Sequence, residues 1–184
     1  MFMVEMTAFP AVPSETRKAA GRVFLPKNIY LQIGDRIGNI FEPVNLVQMD
    51  PLKRYNGDRL CRLALITAFQ FAENLSDGNA AKALRSRIDW MYALHLPLNY
   101  PEFQPYTFCD FRLELMTHSD AECEFLKLLD SLNAEGLFNN TNTGRQPMPK
   151  RSPLSVTLLG WIGSGPPFKP HWKYYRLLLL NGCG

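Results

Sequence analysis

Apolar residues follow two regimes along this 184-residue chain. From Asp58 to Gly136 they recur every three or four positions, the period of helices that bury one face. On either side they are scattered among prolines and glycines. Cys61, Leu65, Ala68, Ala72 and Leu75 mark a first helix, widened by Leu63, Ile66 and Phe69. So broad a stripe predicts a central, well-buried helix, with Asp58 as its expected N-cap. A second helix is predicted from Ser76 as N-cap, with Asp77 in its first turn. Ala80, Ala81, Ala83 and Leu84 give it a small face for close packing, and Lys82, Arg85 and Arg87 lie on or near its outer side. Ile88, Trp90, Met91, Leu94 and Leu96 form the next apolar cluster, before Pro97.

Pro97, Pro101 and Pro105 set a turn. Thr107 is the expected N-cap of a helix buried through Phe108, Phe111, Leu115 and Met116. Ser119 with Glu122 predicts a capping box, Phe125, Leu126, Leu129 and Leu132 continue the period, and Gly136 is a natural stop. Residues 57–138 thus read as one domain of four or five helices. The expected fold class is all-α, a small helical bundle with a helix-turn-helix-like corner where basic residues meet a short helix junction.

The flanks read differently. Prolines at 10, 13, 26, 43 and 51 argue against a long helix in residues 1–56. An extended N-terminal arm is expected there, with room for a short strand within Phe24–Ile33. Arg17, Lys18, Arg22 and Lys27 make this arm modestly basic, which suits either a solvated loop or a segment gripping a nucleic-acid backbone. Residues 139–184 predict an irregular, disordered tail, since the last 44 residues hold six glycines and six prolines. Its RLLLL run beside Trp172, Tyr174 and Tyr175 is an aggregation-prone segment.

Charge sharpens this division. The net charge is +3, yet residues 1–140 hold 14 lysines and arginines against all 17 acids. The six remaining cations lie in residues 141–184, which hold no acid. The basic balance of the chain is therefore no nucleic-acid footprint for the helical block. No apolar run approaches a membrane span, and the start lacks the basic segment of a signal peptide, so a cytoplasmic protein with no membrane partner is expected. Cys61, Cys109, Cys123 and Cys183 form no C-x-x-C pair, and Cys109, His118 and Cys123 fit no zinc spacing. They read as small buried thiols, and neither metal nor cofactor is expected.

The block from Leu75 to Leu96 also carries a pattern, L-S-D-x-x-A-A-x-x-x-R-x-x-I-D-W-x-Y-A-L-x-L. Leu75, Ser76, Asp77, Ala80, Ala81, Arg85, Ile88, Asp89, Trp90, Tyr92, Ala93, Leu94 and Leu96 occupy it. Phe111, Arg112 and Leu115 then match an F-R-x-x-L element, and Gly136-Leu137 a closing G-L. Over roughly residues 25–146 the chain resembles the N-terminal domain of bacterial insertion-sequence transposases of the InsH-like, DDE type. The resemblance implies a DNA-binding segment that recognises the terminal inverted repeats of its element. In that family an RNase H-like domain follows, where three carboxylates hold two metal ions for phosphoryl transfer.

The chain departs from the family after Gly144-Arg145-Gln146. There the first catalytic carboxylate is due, yet Pro147-Met148-Pro149 follows, and no Asp or Glu comes later. No catalytic residue is expected, and the chain reads as a fragment whose catalytic domain is missing. Lys82, Arg85, Arg87 and Arg112 are the candidate DNA contacts, although each also suits a solvated cation on a bundle. Trp90 and Tyr92 read as core residues rather than base-stacking platforms. His95 and His118 read as helix-end or surface histidines, and Asp77, Asp89 and Asp110 as caps or ion-pair partners. An alternative is a helical interaction module that dimerises with, and regulates, an intact transposase. A third is a decayed gene product without function.

The tail itself is expected to be a frameshift product. In the shifted register Met148-Pro149 forces an alanine codon, preceded by one that can encode aspartate. Residues Trp161–Cys183 then permit DRVRATLQAALEVLSVAAPEWL, a sequence with amphipathic helical character. The nucleotide sequence is predicted to show a small insertion or deletion between the codons of Gln146 and Met148, with that register open downstream. A closed register there refutes the frameshift.

Overall fold

The computed structural model describes residues 9–100 and 103–138. Among the described residues all regular structure is helical, in nine helices: α1 (Ser14–Val23), α2 (Ile29–Asp35), α3 (Ile37–Phe41), α4 (Leu46–Met49), α5 (Gly57–Glu73), α6 (Asp77–Ser86), α7 (Ile88–Ala93), α8 (Pro105–Thr117) and α9 (Ser119–Ala134). The all-α bundle expected from the periodicity is what forms, and its second part holds five helices. The expected tail over 139–184 lies outside the described residues.

Helix α5 is the axis. It is apolar almost all round, and every residue from Leu63 to Gln70 is buried. A helix of that kind is stable only inside other helices. Asn56 caps its start by accepting a hydrogen bond from the Arg59 N–H at 2.9 Å. Asp58, the expected cap, lies two residues further in as the acidic residue of the first turn. Asn74 ends the helix in the left-handed region, with φ of 53°. Around α5 stand α4, α6 and α8, while α9 closes the far side against α3, α4 and α8.

The expected extended arm is corrected over its described part. Residues 14–49 hold four helices; α2, α3 and α4 belong to the same core as α5 to α9, and α1 packs through Ala20 in a smaller cluster with Leu31 and Tyr92, so the core does not divide at residue 56. Two facts account for this. The prolines bound helices rather than interrupt them. Pro13 is the N-cap of α1, Pro26 falls between α1 and α2, and Pro43 and Pro51 follow α3 and α4. Proline is tolerated at a helix start because no N–H is needed there. The apolar residues of α2 and α3 also find deep partners. Tyr30, Ile33, Ile40 and Phe41 are at most 2% exposed. Each such side chain contributes on the order of 1.5–3 kcal/mol of burial free energy. The expected strand within Phe24–Ile33 is instead the turn into α2, whose first turn Asn28 caps through the Tyr30 N–H.

An aromatic trio joins the two parts. The rings of Tyr30 (α2), Phe69 (α5) and Trp90 (α7) lie 4.9 to 6.1 Å apart in edge-on or tilted contact. Trp90 and Tyr92 are thus core residues, as their spacing predicts. Helix α1 is pinned to the same region by the Thr16 hydroxyl, which donates to the Leu96 carbonyl at 2.7 Å. His95, at the end of α7, is buried rather than exposed. Its ring nitrogens face the carbonyl oxygens of Pro10 (2.6 Å) and Gly34 (2.8 Å).

Two further caps differ from expectation. Helix α8 begins at Pro105 behind Gln104, so Thr107 sits inside its first turn. Helix α9 begins at Ser119 behind His118, with no side-chain cap and no capping box. The stop at Gly136 holds. Its φ is +93°, and the Leu137 N–H donates to the Leu132 carbonyl at 3.0 Å.

Helix α2 packs on α7, with Gly34 against Tyr92. A Cβ at residue 34 would come within 2.9 Å of the Tyr92 ring and 3.0 Å of its carbonyl oxygen. At Gly21, inside α1, a Cβ would meet nothing within 4 Å. The two glycine-to-alanine changes should therefore have opposite signs. Gly34→Ala is predicted to destabilise by about 1–3 kcal/mol through overpacking. Gly21→Ala should stabilise by about 0.5–1 kcal/mol through helix entropy. Urea unfolding followed by circular dichroism measures both, and equal effects at the two sites would contradict this packing.

Candidate nucleic-acid interface

Helix α6 carries Lys82 and Arg85, two of the four basic residues that the sequence singles out, and α5, α7 and α8 set its orientation. Its N-terminus is built first. Ser76 caps it, accepting from the Asn79 N–H at 3.3 Å, and Asp77 follows where the helix dipole favours an anion. Asp77 also carries a tertiary contact. Arg112 reaches across from α8 and donates to both of its carboxylate oxygens, at 2.7 and 2.8 Å. Gln70 of α5 donates to Asp77 from the third side, at 2.9 Å. The Arg112 side chain is only 5% exposed and that of Asp77 27%. A two-pronged guanidinium–carboxylate contact so shielded fixes angle as well as distance.

The C-terminal end of α6 is fixed in the same way. Arg87 is the single residue between α6 and α7. Its guanidinium donates to Glu73 of α5 and, at 3.1 and 2.8 Å, to both oxygens of Asp89. It also lies over the rings of Tyr30 and Trp90, 5.0 Å from each centre. Burial works against its charge, but the hydrogen bonds and charges of Asp89 and Glu73 outweigh this and raise its pKa. Glu73 accepts from the Tyr30 hydroxyl as well, which ties the group to α2.

This geometry separates the four candidate contacts. Lys82 and Arg85 are exposed on α6, on the outer side as expected. Arg87 and Arg112 are not on the outer side. Arg112 is buried on Asp77, and Arg87 is half-buried on Glu73 and Asp89. A phosphate could reach either guanidinium only by displacing carboxylates that already satisfy it. The periodicity could not show this, because Glu73 stands 14 positions from Arg87 and Asp77 stands 35 from Arg112, each on another helix. Asp77 and Asp89 are the ion-pair partners the sequence reading allowed, and Asp110 is exposed. Among the described residues no group of three or more His, Cys, Asp or Glu side chains is placed to hold a metal ion. Of the thiols, Cys61 is buried, which pushes its pKa up to about 12. Cys123, expected among the buried thiols, is exposed on α9.

A second ionisable pair lies two residues along α8 from Arg112. The Glu114 side chain is 2% exposed, and neither of its oxygens accepts a hydrogen bond from a described donor. Arg54 approaches only to 3.9 Å, from an exposed position. The neighbour is Asp50, whose two oxygens accept from the Arg54 and Tyr55 N–H groups at 3.0 and 2.8 Å. Burial pushes the Glu114 carboxyl above its ordinary value, and hydrogen bonding to Asp50 and the charge of that carboxylate push it further. Arg54 and His118 oppose the shift. The shift favours the neutral acid at this contact between the loop after α4 and α8.

No family model, no curated protein and no solved structure matches the chain.

The Glu114 site sets a direction for pH dependence. Its folded-state pKa lies above its unfolded value, so the stabilisation is fully present below the ordinary carboxyl range. It is lost as pH rises through the raised value. Glu114→Gln keeps a donor for Asp50 without the charge. The variant is predicted to unfold at higher urea than wild type at neutral pH and to lose the decline that wild type shows as pH rises above 4.5. Parallel pH profiles for the two proteins would contradict the assignment.

Proposed function

We propose that the chain binds DNA through its helical domain, as an N-terminal fragment of an insertion-sequence transposase that recognises element ends and performs no catalysis itself. The observation that carries this reading is the L-S-D to L-x-L pattern together with the packing its residues adopt. Ser76 caps α6, Ala80 and Ala81 are buried at its close face, and Trp90 fills the core. Asp77 is joined to Arg112, which belongs to the separate F-R-x-x-L element. Residues far apart in the pattern thus meet in one unit, and that unit turns Lys82 and Arg85 to solvent. These two cations suit contacts to phosphate oxygens, which position a protein on duplex DNA.

One observation favours a second reading. The body of the chain is acidic, with 14 cations against 17 acids over residues 1–140. An acidic helical body suits a protein partner, and the partner in that reading is an intact transposase that this chain dimerises with and regulates.

The test is fluorescence anisotropy with a duplex carrying the inverted repeat that flanks the gene, against a scrambled duplex. The reading predicts preference for the repeat and a steep fall in affinity with salt. Lys82→Ala/Arg85→Ala should flatten the salt slope by about two. Absence of duplex binding, with capture of the full-length transposase instead, would support the second reading and end the first.

A further inference from the structure

The basic segment that reads in sequence as an arm is a mounted helix. In α1, Thr16 and Ala20 are fully buried, while Lys18, Gly21 and Arg22 are exposed together on the opposite side and Arg17 is exposed at the edge of the packed face. The spacing of Lys18, Gly21 and Arg22 places them on one face. Helix α1 packs on α7, held by the Thr16 hydrogen bond and by Arg17. The Arg17 guanidinium lies over the Tyr92 ring, 5.7 Å from its centre, and donates to the Tyr92 hydroxyl at 3.4 Å. Lys27 is exposed in the turn that follows.

This face differs in charge from the rest of the body. Residues 14–27 hold four cations and one acid, Glu15, whereas residues 28–138 hold ten cations and fifteen acids. Many of those ten are already committed. Arg36 pairs with Glu135, Arg87 with Glu73 and Asp89, Arg112 with Asp77, and Lys127 with Glu124. Arg59 lies over the Phe103 ring, and Arg62 over those of Phe9 and Tyr100. No described acid pairs with Lys18, Arg22 or Lys27. A concentrated positive face on an otherwise acidic body is complementary to a polyanion.

We propose that the Lys18–Gly21–Arg22 face of α1, extended by Lys27, grips the sugar–phosphate backbone of duplex DNA. The inference rests on the DNA-binding reading above and adds the surface that supplies its affinity. Lys18 and Arg22 stand one helical turn apart, about 6 Å along the axis. Between them Gly21 presents no side chain and faces open space, which lets a phosphate approach the helix closely. Contacts of this kind set affinity and salt dependence and leave sequence preference to other residues.

The experiment uses the full chain and a short mixed-sequence duplex, with anisotropy recorded across a salt series. The variants are Lys18→Glu/Arg22→Glu/Lys27→Glu, Gly21→Glu and, for comparison, Lys82→Ala/Arg85→Ala. All the substituted α1 side chains are exposed, and thermal melting checks that the fold is kept. The triple variant is expected to lose roughly tenfold or more in affinity and to flatten the salt slope by about two to three. Gly21→Glu, which adds one negative charge in open space, should weaken binding in the same direction. If wild type binds the duplex and both folded α1 variants bind it equally well, this inference is overturned while the DNA-binding reading stands. If wild type binds no duplex, the DNA-binding reading fails and this inference with it. Binding to phosphatidylserine vesicles in place of duplex DNA likewise overturns it.

Discussion

Arg112 spans from α8 to the head of α6 and holds both oxygens of Asp77 while almost wholly withdrawn from water. Burying a guanidinium is costly, and an ion pair in such a place seldom adds much net stability over a well-packed apolar pair. Its effect is on geometry. Two parallel hydrogen bonds between planar groups accept few angles, so α6 is held in one orientation against α5 and α8. Loss of either partner leaves the other charge, or the Gln70 amide, without its contact.

The same device recurs at the other end of α6, where Arg87 is enclosed by Glu73, Asp89 and two aromatic rings. With both ends fixed, the exposed side of α6 is determined, and Lys82 and Arg85 point outward as a consequence. Helix α1 shows a parallel economy. Its buried side is small, Thr16 and Ala20, which brings it close to α7 and leaves its basic side to solvent. Both basic helices pack on α7, which in turn carries Trp90 into the core. The surface proposed for DNA therefore depends on buried polar and aromatic contacts that lie beneath it.

Much of this was legible in the sequence where the cause is local. The helices from α5 to α9 follow from apolar spacing, the cap at Ser76 from hydroxyl chemistry, and the stop at Gly136 from its tolerance of positive φ. Caps with near-equal competitors were less legible. Asn56 precedes Asp58, Pro105 starts α8 ahead of Thr107, and His118 precedes Ser119. The N-terminal helices were missed because prolines that bound short helices look like prolines that forbid long ones. The burial of Arg87 and Arg112 was not legible at all. A cation's fate depends on which acid the fold brings beside it, and spacing along a single helix carries no information about an acid on another helix.

The Asp77–Arg112 contact orients α6. A double-mutant cycle with Asp77→Ala, Arg112→Ala and the combined variant, read by urea unfolding, tests it most directly. Each single change is expected to cost about 3 kcal/mol, and the pair to be strongly non-additive, with a coupling of at least about 1.5 kcal/mol. Simple additivity of the two losses, with a coupling near zero, would contradict it.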